Sequence, residues 1–367
     1  MHIGLLAPPW IPVPPPAYGG IEQVVDLKAR CLVDAGHEVT LVAAPGSQVA
    51  GVELVSPLHR LPDHIGLAAD EHLHVLPALA ALAETDVVID HSGLLGALVT
   101  SKGRVPAAHV VHSPLGGIAN DVYGALARHS PRLRLIAISE AQRSLAPGLP
   151  FAGVCHNGID ATSVPFRAQA GDYLAFLGRM SPDKGAAEAI AIARRAGLPI
   201  RIAAKCREPA EHEYFADYVE PELGPDVEWL GELPPEQKFE LLAGARALVF
   251  PISWSEPFGM VMIEAMACGT PVLATPRGSV PEVVADGRTG FVREGVDGLA
   301  RAVARLDEID REACRRDVID RFSGEAMADA YEQIIENMLA EQGARRRLAP
   351  AQHTSRVGLA LAAPGSA

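Results

Sequence analysis

The chain has little cysteine, no surplus of positive charge and no long apolar run, and each shortage excludes something. Its five cysteines, Cys31, Cys155, Cys206, Cys268 and Cys314, are odd in number, far apart in 367 residues and include no Cys-x-x-Cys pair. A disulfide framework or a thiolate zinc site needs closer pairing, so the cysteines read as reduced structural residues. The 32 Lys and Arg against 45 Asp and Glu leave a net charge of −13. The chain as a whole therefore repels nucleic acid and anionic lipid surfaces. No window approaches the ~20 apolar residues that spanning a bilayer needs. The opening Met-His-Ile-Gly-Leu-Leu-Ala-Pro-Pro is too short for a signal peptide and lacks a basic lead-in. The expectation is a cytoplasmic protein with no transmembrane segment and no nucleic-acid partner. Also missing are a Gly-x-Gly-x-x-Gly after the first strand and an acidic residue tipping the second, so this is no dinucleotide fingerprint.

What is present is a globular composition, 49% hydrophobic and 21% charged, with 34 Gly and 30 Pro scattered between apolar runs. A length of 367 residues exceeds one core at roughly 100–200 residues per domain and points to two domains. Strand-like runs alternate with amphipathic ones nearly throughout, the pattern of parallel sheets covered by helices on both faces. Strands are predicted at 3–7, 38–43, 87–90, 107–112 and 135–138, with a helix at 21–35 ended by Gly36. A second series gives strands at 173–177, 200–204, 227–230, 247–251 and 271–274 and helices at 186–196, 235–244 and 259–268. The fold class is α/β, two doubly wound Rossmann-like units in tandem. Asn157-Gly158 and Pro165 mark the junction. The division is 1–163 for an N-terminal domain, 164–322 for a C-terminal domain, and 323–341 for a terminal helix, carrying Met327, Tyr331, Ile334, Ile335 and Met338 on one face and packing back on the first domain. Residues 342–367, with Arg345-Arg346-Arg347, read as a disordered tail.

Three stretches carry chemistry. The strand at 173–177 runs into Gly178-Arg179-Met180-Ser181-Pro182-Asp183-Lys184-Gly185 and then a helix, placing two cations beside a helix N-terminus at a strand's carboxyl end. Anions bind there, because helix N-termini present unpaired N–H groups and a positive dipole end, and ligands of open α/β sheets lie beyond strand carboxyl ends. Arg179 and Lys184 together match a leaving diphosphate; alone, each is an ordinary loop cation. The second stretch, Ser255-Glu256-Pro257-Phe258-Gly259-Met260, again opens a helix, and the amides of Phe258, Gly259 and Met260 are free donors at its start. Glu264 follows inside the apolar Met-Val-Met-Ile-Glu-Ala-Met-Ala. A buried carboxylate there needs a partner, either a pair of sugar hydroxyls or a structural salt bridge. The third is Tyr18-Gly19-Gly20-Ile21-Glu22 after a proline-rich loop at 8–16, by itself weak.

Taken with His112-Ser113-Pro114, Ile138-Ser139-Glu140 and His156-Asn157-Gly158-Ile159-Asp160, these stretches resemble the retaining glycosyltransferases of family 4, whose GT-B fold sets two Rossmann-like domains about a cleft. The resemblance covers roughly residues 1–340 and implies a hexosyltransferase-like enzyme that takes a sugar from a UDP- or GDP-sugar. Gly19 and Gly20 would then approach the donor phosphates, and Arg179 and Lys184 would bind the diphosphate as it leaves. Glu264 would meet the ribose, while Glu256 and the amides of Phe258, Gly259 and Met260 would meet the transferred sugar. His112 would reach that sugar from the opposite wall, and His91 and Tyr18 are further candidates for sugar or acceptor contact. The resemblance also implies retention of anomeric configuration by attack on the face the diphosphate leaves. No Asp-x-Asp stands at a strand end, so no metal and no other cofactor is expected. The acceptor, a small molecule, saccharide or lipid, would be read by loops of the N-terminal domain such as 8–16 and 58–76. Other readings are a sugar-nucleotide binding protein without catalysis, or a GT-B epimerase or phosphorylase.

Overall fold

The computed structural model describes residues 1–16 and 19–348, with side chains described through residue 341. The first half builds one sheet from β1 His2–Leu6, β2 Glu38–Val42, β3 Glu53–Val55, β4 Val87–Asp90, β5 Ala107–Val111, β6 Leu135–Ala137 and β7 Phe151–Val154. Their order is β3-β2-β1-β4-β5-β6-β7, every ladder parallel. Helices α1 Gly20–Asp34, α2 Ala68–Ala81, α3 Leu94–Lys102, α4 Ile118–His129 and α5 Glu140–Ser144 make the crossovers. All residues of β4 and β5 are buried, as strands covered on both faces must be.

The second half repeats the plan. Strands β8 Leu174–Arg179, β9 Ile200–Lys205, β10 Val227–Gly231, β11 Ala247–Phe250, β12 Val272–Ala274 and β13 Gly290–Val292 lie in the order β10-β9-β8-β11-β12-β13, again parallel. The helices are α6 Ala186–Ala196, α7 Pro209–Tyr214, α8 Pro235–Gly244, α9 Met260–Ala267, α10 Val280–Val283, α11 Gly295–Val303 and α12 Arg311–Phe322. In each sheet the strand order reverses once, between β1 and β4 and between β8 and β11. Those reversals open crevices at the strands' carboxyl ends, where open α/β sheets hold ligands. The expected α/β architecture of two doubly wound sheets is thus the observed one.

One segment departs from expectation. Residues 58–76 read as a loop, yet 68 onward belong to α2. Its Ala-Ala-Asp-Glu-His-Leu-His-Val-Leu-Pro-Ala-Leu-Ala-Ala has no clean apolar stripe and holds Pro77 inside, so periodicity did not reveal it. Tertiary contacts decide instead. His74, Val75 and Ala78 pack inward, and the His74 ring reaches the Ala7 carbonyl at 3.0 Å.

The chain crosses between the halves after β7 and again after α12, and the two crossings are bonded together, the Ile159 amide donating to the Phe322 carbonyl at 2.8 Å. The last helix, α13 Gly324–Leu348, then runs back along the first half. Tyr331 lies under Lys28 of α1, Glu332 meets the His37 ring at 2.7 Å, and Ile334 fills the space over Gly153. The tail expected to lack order falls largely outside the described residues: 349–367 wholly, and the side chains of 342–348.

Candidate active site

A cleft of about 640 Å³ lies between the carboxyl ends of the two sheets and takes residues from both. From the second half come Gly178, Arg179, Lys184, Glu256, Phe258, Gly259, Met260 and Glu264; from the first come Gly19, Gly20 and His112. These are the residues that strand ends and turns predicted, and the fold collects them in one place. Tyr18 lies outside the described residues.

Two helices of the second half that follow these loops, α6 and α9, open on a glycine with a left-handed backbone, Gly185 at φ +80 and Gly259 at φ +78. A side chain is strained there, and a Cβ on Gly185 would also stand 2.7 Å from the Pro251 carbonyl. The two helix mouths differ. Around α6 the Ala187 amide is taken by the Tyr214 hydroxyl at 3.2 Å. At α9 no side chain caps the start, and the amides of Phe258, Gly259 and Met260 donate to no acceptor among the described residues. The second mouth is therefore the one whose amide donors stand free, as an anion would require.

The cations are already partnered. Lys184 Nζ donates to Glu256 Oε2 at 2.5 Å and sits over the Trp254 ring, 4.6 Å from its centre. Both side chains are largely buried, 14% and 10% exposed. An ammonium has three N–H donors, so Lys184 keeps Glu256 and still has hydrogens for a ligand oxygen. Arg179 is freer, its guanidinium 41% exposed and held to Asp183 at 3.2 Å. Glu264 has found its partner within the chain, for Lys238 of α8 donates to its Oε1 at 2.7 Å. The salt-bridge reading of Glu264 therefore holds, while its other carboxylate oxygen has no partner among the described residues. Lys238 and the buried Glu22 also line the cleft, and the sequence reading missed both as site residues. Lys238 sits on an unremarkable helix, where no local signal marks it. Lys205, another lining residue, ends β9, and its strand-end place could have marked it.

On the opposite wall, His112 follows β5 and lines the cleft. His91 does not line it. The Asp90 carboxylate takes both the amide and the hydroxyl of Ser92, at 2.8 and 2.6 Å, a tight turn that sends His91 inward. Its ring is 2% exposed and touches His112, with 2.7 Å between His91 Nδ1 and His112 Nε2. The expected contact of His91 with sugar or acceptor is therefore corrected: burial leaves it behind His112.

Residues 18–163 match the model of "Glycosyltransferase Family 4", and residues 165–321 that of "Glycosyl transferases group 1". The alpha-maltose-1-phosphate synthase of Mycolicibacterium smegmatis is 30% identical over 331 residues, 76% of this chain and 81% of that one. Among solved structures, AviGT4, a glycosyltransferase involved in avilamycin A biosynthesis, superposes with a TM-score of 0.69 at 26% identity, covering 93% of this chain and 98% of that one. Anabaena Alr3699/HepE, in complex with UDP and glucose, gives 0.69 at 19% identity over 91% and 99%, a likeness of fold alone.

Proposed function

Because the chain belongs to glycosyltransferase family 4 and has the GT-B fold, we propose that its cleft takes a nucleoside-diphosphate sugar and moves the sugar to an acceptor with retention of configuration. The observation that carries this reading is the pairing of unsatisfied donors with cations on one wall. The free amides at α9, Lys184 and Arg179 converge on one side of the cleft, and His112 stands on the other. The anomeric carbon–oxygen bond breaks with negative charge growing on the departing diphosphate and positive charge on the sugar. Preorganised ammonium, guanidinium and amide donors stabilise the first at no reorganisation cost. The acceptor attacks from the face being vacated, and its proton passes to the departing phosphate oxygen, so no separate base is required.

In this reading Lys184 and Arg179 neutralise the leaving group without a metal ion. Glu256 holds Lys184 in place and offers an oxygen to the sugar, Glu264 takes the ribose with its remaining oxygen, and Gly19 and Gly20 admit the phosphates from the first half. A Cβ on Gly19 would stand 2.6 Å from Pro15, whereas one on Gly20 would meet nothing within 4 Å, so Gly20 is the open approach. HepE, whose complexes contain UDP and UDP-glucose, makes a UDP-sugar the first donor to test.

The test is a thermal-shift screen of UDP-glucose, UDP-N-acetylglucosamine and GDP-mannose. The true donor at 100 times its dissociation constant stabilises by ~2.7 kcal/mol; no shift with any nucleotide sugar would sink the reading. Lys184→Ala and Arg179→Ala should each cut turnover at least about tenfold, equivalent to ~1.4 kcal/mol of lost transition-state stabilisation, without loss of fold. Release of nucleoside diphosphate only when acceptor is present separates transfer from mere binding.

A further inference from the structure

Lys28 sits in the middle of α1, fully buried, and no carboxylate among the described residues pairs with it. Its Nζ lies 2.7 Å from His91 Nε2 and 3.4 Å from the centre of the Tyr331 ring. Beyond His91 comes His112, 2.7 Å away, and the far nitrogen of that ring, Nδ1, has no hydrogen-bond partner among the described residues while His112 lines the cleft. Three nitrogen-bearing side chains thus run in single file from the interior of the first half to the substrate space. Only the last of them touches that space.

We infer that Lys28 and His91 form a one-way hydrogen-bond relay that holds His112 as a neutral ring with its N–H on Nδ1, aimed at an oxygen acceptor of the bound sugar. A neutral imidazole has one N–H and one lone pair, so each ring in a file must pass on the direction it receives. Lys28 heads the file, and it donates in either charge form, whereas only its deprotonated form could accept. The Tyr331 ring face beneath it attracts the positive end of an N–H or ammonium. Donation to His91 Nε2 puts the His91 hydrogen on Nδ1, where it donates to His112 Nε2. The His112 hydrogen is then on Nδ1.

Surroundings keep the rings uncharged. Burial and the neighbouring Lys28 amine push His91 and His112 well below the usual imidazole range, and burial lowers Lys28 as well. The other titratable groups set against the file are Cys155 and Tyr331, both raised by burial, with His109 beyond. Lys28 and His91 are positioning residues, since neither reaches the cleft. The identity of the oxygen acceptor rests on the glycosyl-transfer reading; the tautomer of His112 does not.

Nitrogen-15 spectra of histidine-labelled protein decide it, with His91→Gln and His112→Gln used to assign the signals. The intact protein is expected to show both rings neutral at pH 7 with the hydrogen on Nδ1. Lys28→Met, near in length and without a donor, should mix the His112 tautomers and cut kcat about tenfold while leaving donor KM within about twofold. A His112 ring carrying its hydrogen on Nε2, a charged His91 or His112 at pH 7, or unchanged tautomers in Lys28→Met would each overturn the relay. Should Lys28→Met not fold, the spectrum of the intact protein still decides. Failure of every nucleotide sugar to bind would sink the transfer reading and leave the relay standing.

Discussion

Glu22 stands in the first turn of α1, beside the cleft, yet is only 4% exposed. Burial outweighs the backbone hydrogen bond at its own amide and raises its carboxyl to about 7 from the ordinary 4.5. The folded state therefore holds a proton that the unfolded chain has released between pH 4.5 and 7, and stability falls as pH rises through that window. Glu22→Gln removes the ionisation, so its stabilising effect should be larger at pH 8 than at pH 5 by about 2 kcal/mol, read from urea unfolding at the two pH values. Equal effects at both would show that the carboxyl ionises freely. That Arg179, Lys184 and Glu256 gather at one cleft was legible because each lies in a short motif at a strand or helix end, and Glu264 because a lone carboxylate stands out inside an apolar helix. Lys238 and the inward turn of His91 were not, since a salt bridge across 26 residues and a ring packed behind another are made by tertiary structure.

Elements show the same division between local and distant causes. Strands β1, β2, β4, β5 and β8 stand where buried apolar runs predicted them, because a parallel strand covered on both faces needs an unbroken run. The short edge strands β3 and β13, three residues each, leave no such run to read. Helix α5 illustrates a cap that no local pattern reveals. Besides Ser139, whose hydroxyl takes the Gln142 amide, its first amides are held by Glu282 of α10, which accepts from Glu140 N at 2.8 Å and Ala141 N at 2.5 Å. Burial works against that carboxylate, but the His156 ring and the two amides more than offset it and hold its pKa below the usual value. Its contribution is present above the unfolded carboxylate pKa and is lost as pH falls through the folded one. Glu282→Ala should cost about 1–2 kcal/mol at pH 7, as loss of a helix cap does, and clearly less at pH 3; denaturant midpoints at both pH values check this. An equal cost at both would mean that only packing was lost.

At the scale of the whole molecule, Glu282 is a polar tie between the halves, and the covalent ties lie beside it. The chain passes from one half to the other near residue 159 and back near 322, and those two passages are bonded together at 2.8 Å. Around them the His156, Phe258 and Phe322 rings meet tilted or edge-on, their centres 5.5–5.9 Å apart. Phe258 belongs to the same loop whose amides open toward the cleft. Donor binding should therefore be felt at the junction: protection of the 155–160 amides from hydrogen exchange should rise when the nucleotide sugar is added, and unchanged exchange there would mean that the grip stays local. Because the two passages run side by side, any turning of one half against the other would pass through both at once. A few degrees of rotation about so narrow a join would carry the distant rims of the cleft through a much longer arc, so the width of its mouth would be set by a pivot far smaller than the mouth itself.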